Sequence, residues 1–122
     1  MMTVEEFVQK NGNDFIAEFL APWIATQSIS SDRDGKKAEM VQAAEQLIDE
    51  LQQSGFTTRR YKVENGNDAV YAERIIDPEL PTVLVYGHYD VQPIKQEEEW
   101  RTNPFELIID QDGEAFARGI AD

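Results

Sequence analysis

One short stretch restricts the fold more than any other. Thr82-Val83-Leu84-Val85-Tyr86 follows Pro81 as an unbroken apolar run. A strand with one wet face alternates apolar and polar residues, whereas a continuous run suits a strand covered on both faces, the pattern of α/β sheets. The run therefore predicts a central, buried strand. Gly87-His88-Tyr89-Asp90 follows at once. Open α/β sheets bind ligands beyond the carboxyl ends of their strands, so chemistry is expected in this tetrapeptide.

The flanking segments supply the other layers. Thr3-Val4-Glu5-Glu6 has the spacing of a capping box, and Asn11-Gly12-Asn13 is expected to interrupt or kink the helix that it starts. Phe15, Ile16, Phe19, Leu20, Trp23 and Ile24 recur at helical steps, with Pro22 weakening the last turn. Residues 28–35 read as a polar connection. Met40, Val41, Ala44, Leu47, Ile48 and Leu51 then form the apolar stripe of a second helix, and Gly55 sits where a left-handed C-cap belongs. Strand-like residues 56–63, the turn Asn65-Gly66 and the return 69–76 predict an antiparallel hairpin. A second hairpin is expected from 105–110, the turn Gln111-Asp112-Gly113 and 114–117. Two helices followed by strands argue for an α/β fold, part of a layered α/β/α domain with a mixed sheet. No helix closes the second face of that sheet, so the domain reads as incomplete.

Charge excludes some partners. Acidic residues number 24 against 11 Lys and Arg, a formal net charge of −13. Phosphate binding depends on neutralisation by basic side chains, so nucleic acid and anionic membrane surfaces are poor partners. There is no cysteine, which rules out disulfides, thiolate metal sites and thiol nucleophiles within these residues. The acidic N-terminus has neither the basic region nor the apolar core of a secretory signal, and a cytoplasmic location is expected.

Side chains two apart on an extended segment point the same way, which puts His88 and Asp90 on one side. A metal-binding imidazole usually gives its other ring proton to a carboxylate, and Asp90 is placed to accept it or to act from behind the ligand. A lone histidine is more often a hydrogen-bonded structural or surface residue, and the chemistry alone leaves both readings open. Gly87 would permit a close backbone approach or a sharp bend.

The longer string Tyr86-Gly87-His88-Tyr89-Asp90-Val91-Gln92-Pro93 is followed by Glu99-Trp100-Arg101-Thr102-Asn103-Pro104-Phe105, then by Asp112-Gly113 and Phe116-Ala117-Arg118-Gly119-Ile120-Ala121-Asp122. This ordered set resembles the dizinc metallopeptidase family of carnosinases, bacterial dipeptidases, aminoacylases and glutamate carboxypeptidases. The resemblance runs from about residue 28 onward and is most specific over 81–122. It implies that residues 1–122 are the N-terminal part of a metallopeptidase catalytic domain. It further implies that His88 binds one metal, that Asp90 is the catalytic carboxylate holding the His88 ring, and that Asp122 bridges two metals. The implied cofactor is a pair of Zn2+ ions, with Mn2+ or Co2+ as alternatives. Ala117 stands where many relatives have Gly, and Gln92 leans toward the dipeptidase branch, deacylases commonly having an aliphatic residue there. No substrate-binding residue is assigned. Trp100, Pro104 and Phe105 read as packing of the crossover loop, ahead of the alternative that they line the substrate entrance, Arg118 as the member of a loop-stabilising ion pair, and Glu97-Glu98-Glu99 as a solvated face.

Each zinc needs about three protein ligands and an open position, and a general base must take the water's proton. The chain's single histidine is already assigned, so these residues alone are expected to bind metal weakly and to lack peptidase activity. The expected activity is that of a longer protein, with a homodimer as its expected assembly. It would hydrolyse dipeptides or short peptides, the alternatives being removal of an acyl group from an amino acid or a non-enzymatic interaction domain.

Overall fold

The structure, a computed structural model, describes residues Met1–Asp122 and divides into two units. One unit joins Met1–Gln27 to Gln92–Asp122, and the other is Ser28–Val91.

In the Ser28–Val91 unit, helix α3 (Lys37–Gln53) packs on a hairpin of β1 (Thr57–Tyr61) and β2 (Ala69–Glu73). The hairpin is antiparallel with Arg59 opposite Tyr71. It is shorter at both ends than the apolar pattern predicts, and Asn65 takes the left-handed conformation its turn requires (φ 58°). Met40, Ala43 and Ala44 are the buried residues of α3. Alanine at two of these positions lets neighbouring backbone come close to the helix axis. Val41, on the expected stripe, is instead exposed. The helix ends in a Schellman motif: Phe56 N–H donates to the Leu51 carbonyl and Gly55 N–H to that of Gln52, both at 2.9 Å, with Gly55 at φ 83°. Arg60 of β1 joins Glu45 of α3 (3.3 Å) and Asp68 ahead of β2 (2.5 Å).

The central strand expected at residues 82–86 does not form. The segment has no strand pairing, and Val83, Leu84, Val85 and Tyr86 are 82–91% exposed. The reason lies in the ladders available. β1 pairs only with β2, and β3 (Ile108–Ile109) only with β4 (Ala115–Phe116), giving two antiparallel two-stranded sheets in place of one mixed sheet. A strand needs a partner for its N–H and C=O groups, and 82–86 joins neither ladder. The α/β class holds, built from helices and small antiparallel sheets.

In the other unit, α1 (Val4–Phe15), a π-helical turn (Ile16–Leu20) and α2 (Ala21–Ala25) follow one another without a break. The expected interruption at Asn11-Gly12-Asn13 is absent. Asn11 Nδ2 donates to the Phe7 carbonyl at 2.8 Å, so its side chain supports the helix it was expected to break. The irregularity falls later, where Ala21 N–H reaches back to the Ile16 carbonyl. Pro22 follows directly on the π-helical turn, at the start of α2. Phe15, Phe19 and Trp23 form a ladder of tilted rings with centroids 5.2 and 5.4 Å apart.

The capping box is complete. Thr3 N–H donates to Glu6 Oε2 (2.8 Å), and Glu6 N–H to Thr3 Oγ1 (3.2 Å). Thr3→Ala should cost about 1 kcal/mol locally, or roughly fivefold faster amide exchange in the first turn. The melting temperature should hold, because α1 buries no residue. Unchanged exchange at Glu6 and Phe7 would show that the cap contributes nothing.

No helix is long and apolar enough to cross a membrane.

Candidate functional site

The site begins with a backbone contact inside the Ser28–Val91 unit. Val91 N–H donates to the Ser28 carbonyl at 2.9 Å. Ser28 and Ile29 are buried, which anchors the first segment of this contact. The contact brings Ser30 beside Asp90, and the Ser30 hydroxyl donates a short hydrogen bond to Asp90 Oδ2.

The other carboxylate oxygen faces the histidine. His88 Nδ1 lies 3.1 Å from Asp90 Oδ1 and 3.1 Å from the Asp90 main-chain oxygen. Both are acceptors, so Nδ1 must carry the proton for either contact to be favourable. In the neutral ring the lone pair is then on Nε2, the form in which histidine ligates a metal. The His88 side chain is 51% exposed and that of Asp90 34%. A half-wet imidazole on a more sheltered carboxylate suits a ligand at the mouth of a site. Ser30, His88 and Asp90 line an open cavity of about 490 Å3, whose apolar wall includes Met40, Leu47 and Val85.

Tyr89, between them, anchors elsewhere. Its hydroxyl donates to the Asp68 carbonyl, and burial, then the nearby Asp68 charge, raises its pKa. The main-chain segment is thus held from a second direction. No close approach is made at Gly87, since an added methyl there would meet nothing within 4 Å.

Asp122 belongs to the other unit and is exposed. The structure brings His88 and Asp90 together. No group of three or more His, Cys, Asp or Glu side chains gathers into a metal-holding cluster. The His88–Asp90 pair fits one ligand of a divalent metal, and the remaining ligands are not assembled here.

Within Gln92–Asp122, Arg118 is a structural brace. Its guanidinium pairs with Glu98 and lies 5.2 Å from the centre of the Trp100 ring. Its backbone N–H donates to the Pro104 carbonyl at 2.7 Å. The ion pair expected of Arg118 is present, and Trp100 packs against it. Glu98 is correspondingly more than a solvated residue: the Trp100 indole N–H and then Arg118 hold its carboxyl below the usual range against some desolvation.

Sequence reasoning missed Ser30 and Glu98. Ser30 sits in a polar tract with the composition of a loop, 60 positions from Asp90, and no local pattern connects the two.

No family model matches the chain. The Cys-Gly metallodipeptidase DUG1 of Candida albicans is 38% identical over 133 aligned positions, which cover 98% of this chain and 26% of that protein. The Beta-Ala-His dipeptidase of Mus musculus is 47% identical over 51 positions, covering 42% of this chain and 10% of that protein. Among solved structures, the dipeptidase Dug1p of Saccharomyces cerevisiae superposes with a TM-score of 0.82 at 31% identity, over 94% of this chain and 26% of that one. The chain spans about a quarter of the length of the curated relatives it matches along nearly all its residues.

Proposed function

We propose that this chain, a member of the metallodipeptidase family, forms one wall of the catalytic centre of a longer protein that hydrolyses dipeptides. The observation that carries this reading is the His88 imidazole with Nδ1 against Asp90, in a chain that aligns almost end to end with a Cys-Gly metallodipeptidase.

In this reading His88 would hold a metal through its imidazole, Asp90 would fix the ring and its tautomer, and Asp122 would hold the metals through its carboxylate. Zinc is the metal of choice for an imidazole and carboxylate donor set without thiolates, with manganese or cobalt as substitutes. Such a metal pair supplies Lewis acidity toward the scissile carbonyl and a water acidic enough to attack at neutral pH. What these residues themselves contribute is orientation. His88 cannot swing without breaking two contacts at Nδ1, both of them to Asp90. The remaining ligands and the general base come from residues outside these 122. The substrate is a small peptide and the setting cytoplasmic, with homodimerisation a property of the longer protein.

Assaying the longer protein on Cys-Gly, on β-Ala-His and on N-acetyl amino acids tests the proposal. Dipeptide cleavage that is abolished by a chelator and restored by zinc is the expected result. Preference for the acyl amino acids would move the protein to the amidohydrolases. Inactivity on all three with zinc present would leave a binding domain.

A further inference from the structure

We infer that Ser30 is a positioning residue for His88, acting through Asp90. The inference deepens the reading above and rests on it only for its consequence at the metal.

Asp90 has two carboxylate oxygens and the structure divides them. Oδ1 faces His88 Nδ1 at 3.1 Å, and Oδ2 accepts from the Ser30 hydroxyl. A carboxylate held at one oxygen can rotate about its terminal bond, and that rotation would carry Oδ1 away from the ring. The second bond stops it. A hydroxyl bonded to an ionised carboxylate is charge-assisted, roughly twice as strong as a neutral pair. The serine is itself fixed, because buried Ile29 precedes it and the Ser28 carbonyl accepts from Val91 N–H at 2.9 Å. That contact sets which residue of the first segment stands beside Asp90. The order is therefore Ser30 to Asp90 to His88, with the backbone rung at 28 and 91 as its base.

The consequence concerns the tautomer. With Oδ1 in place, the ring proton is held on Nδ1 and the lone pair on Nε2. When Ser30 loses its hydroxyl, the Asp90 carboxylate gains rotational freedom, only the Asp90 main-chain oxygen still stands against Nδ1, and the single-tautomer preference of His88 weakens. A residue that merely supports the fold would change stability and leave the tautomer alone.

The chain contains a single histidine, so 15N labelling of histidine gives one imidazole spectrum without assignment. The wild-type chain above the ring's titration should show the Nδ1–H tautomer predominating. Ser30→Ala should shift it toward a mixture of both forms, and Ser30→Thr, which keeps a hydroxyl, should restore it. Ser30→Cys keeps a weak donor and should fall between. It supplies the comparison if Ser30→Ala does not fold. In the longer protein Ser30→Ala should also weaken zinc binding, measured by calorimetry, by about 10- to 100-fold.

A wild-type tautomer mixture, or a folded Ser30→Ala (or Ser30→Cys) with the wild-type tautomer, overturns the inference whatever the enzyme does. The tautomer shift occurring in a chain whose longer protein neither binds zinc nor cleaves dipeptides would instead sustain the role of Ser30 and defeat the dipeptidase reading.

Discussion

His88→Ala should weaken zinc binding by the longer protein by a factor on the order of 100 or more, while changing the apo-protein's melting temperature little. Structural zinc sites with four protein ligands bind with roughly 10–16 kcal/mol, so one ligand accounts for about 3–4 kcal/mol. That corresponds to a loss of two to three powers of ten. The small effect on stability follows from exposure. The His88 side chain is half in water, and its contacts at Nδ1 are to Asp90. Asp90→Asn gives a graded control. Its amide oxygen can still accept from Nδ1, but the negative charge is lost, and a loss of about 10- to 100-fold is expected. Zinc titration by calorimetry alongside thermal melts separates binding from folding. Full zinc affinity in His88→Ala would remove the residue from the site.

The second large effect is on the fold. Ala44→Asp should abolish cooperative thermal unfolding, whereas Val41→Asp on the same helix should be tolerated. Ala44 has 0% exposure, and a carboxylate there would be buried without a built partner. Such a group costs several kcal/mol, against a total stability of roughly 5–15 kcal/mol for a domain. The core has little reserve, since no large side chain is fully buried and the buried apolar residues are few. Val41 is 37% exposed, so its replacement stays in contact with water. Circular dichroism melts of the two variants make the comparison. Equal melting temperatures would mean that α3 does not bury Ala44 in solution.

These two residues also mark how far the sequence could be read. Val41 and Ala44 lie three apart on one apolar stripe, and periodicity assigns them to the same face. Burial depends on where the neighbouring hairpin lies along that face, which periodicity does not contain. The pair His88 and Asp90 was legible because two positions on an extended chain share a side whatever surrounds them. Ser30 was not, because its partner is 60 positions away. The roles of His88, Asp90 and Asp122 as metal-site residues came from family resemblance and remain a proposal, with Asp122 in the other unit.

What the chain dictated alone is short-range. The Thr3–Glu6 capping box, the Gly55 helix stop and the 57–73 hairpin are formed by groups within a few residues of one another, and their chemistry is written in adjacent letters. What only the tertiary structure decided is whether a segment finds a partner. Residues 82–86 have the composition of a buried strand, yet stand exposed because no other segment pairs with them. Composition sets what a segment would gain by pairing. Only the placement of other backbone supplies the hydrogen-bonding edge that makes pairing occur.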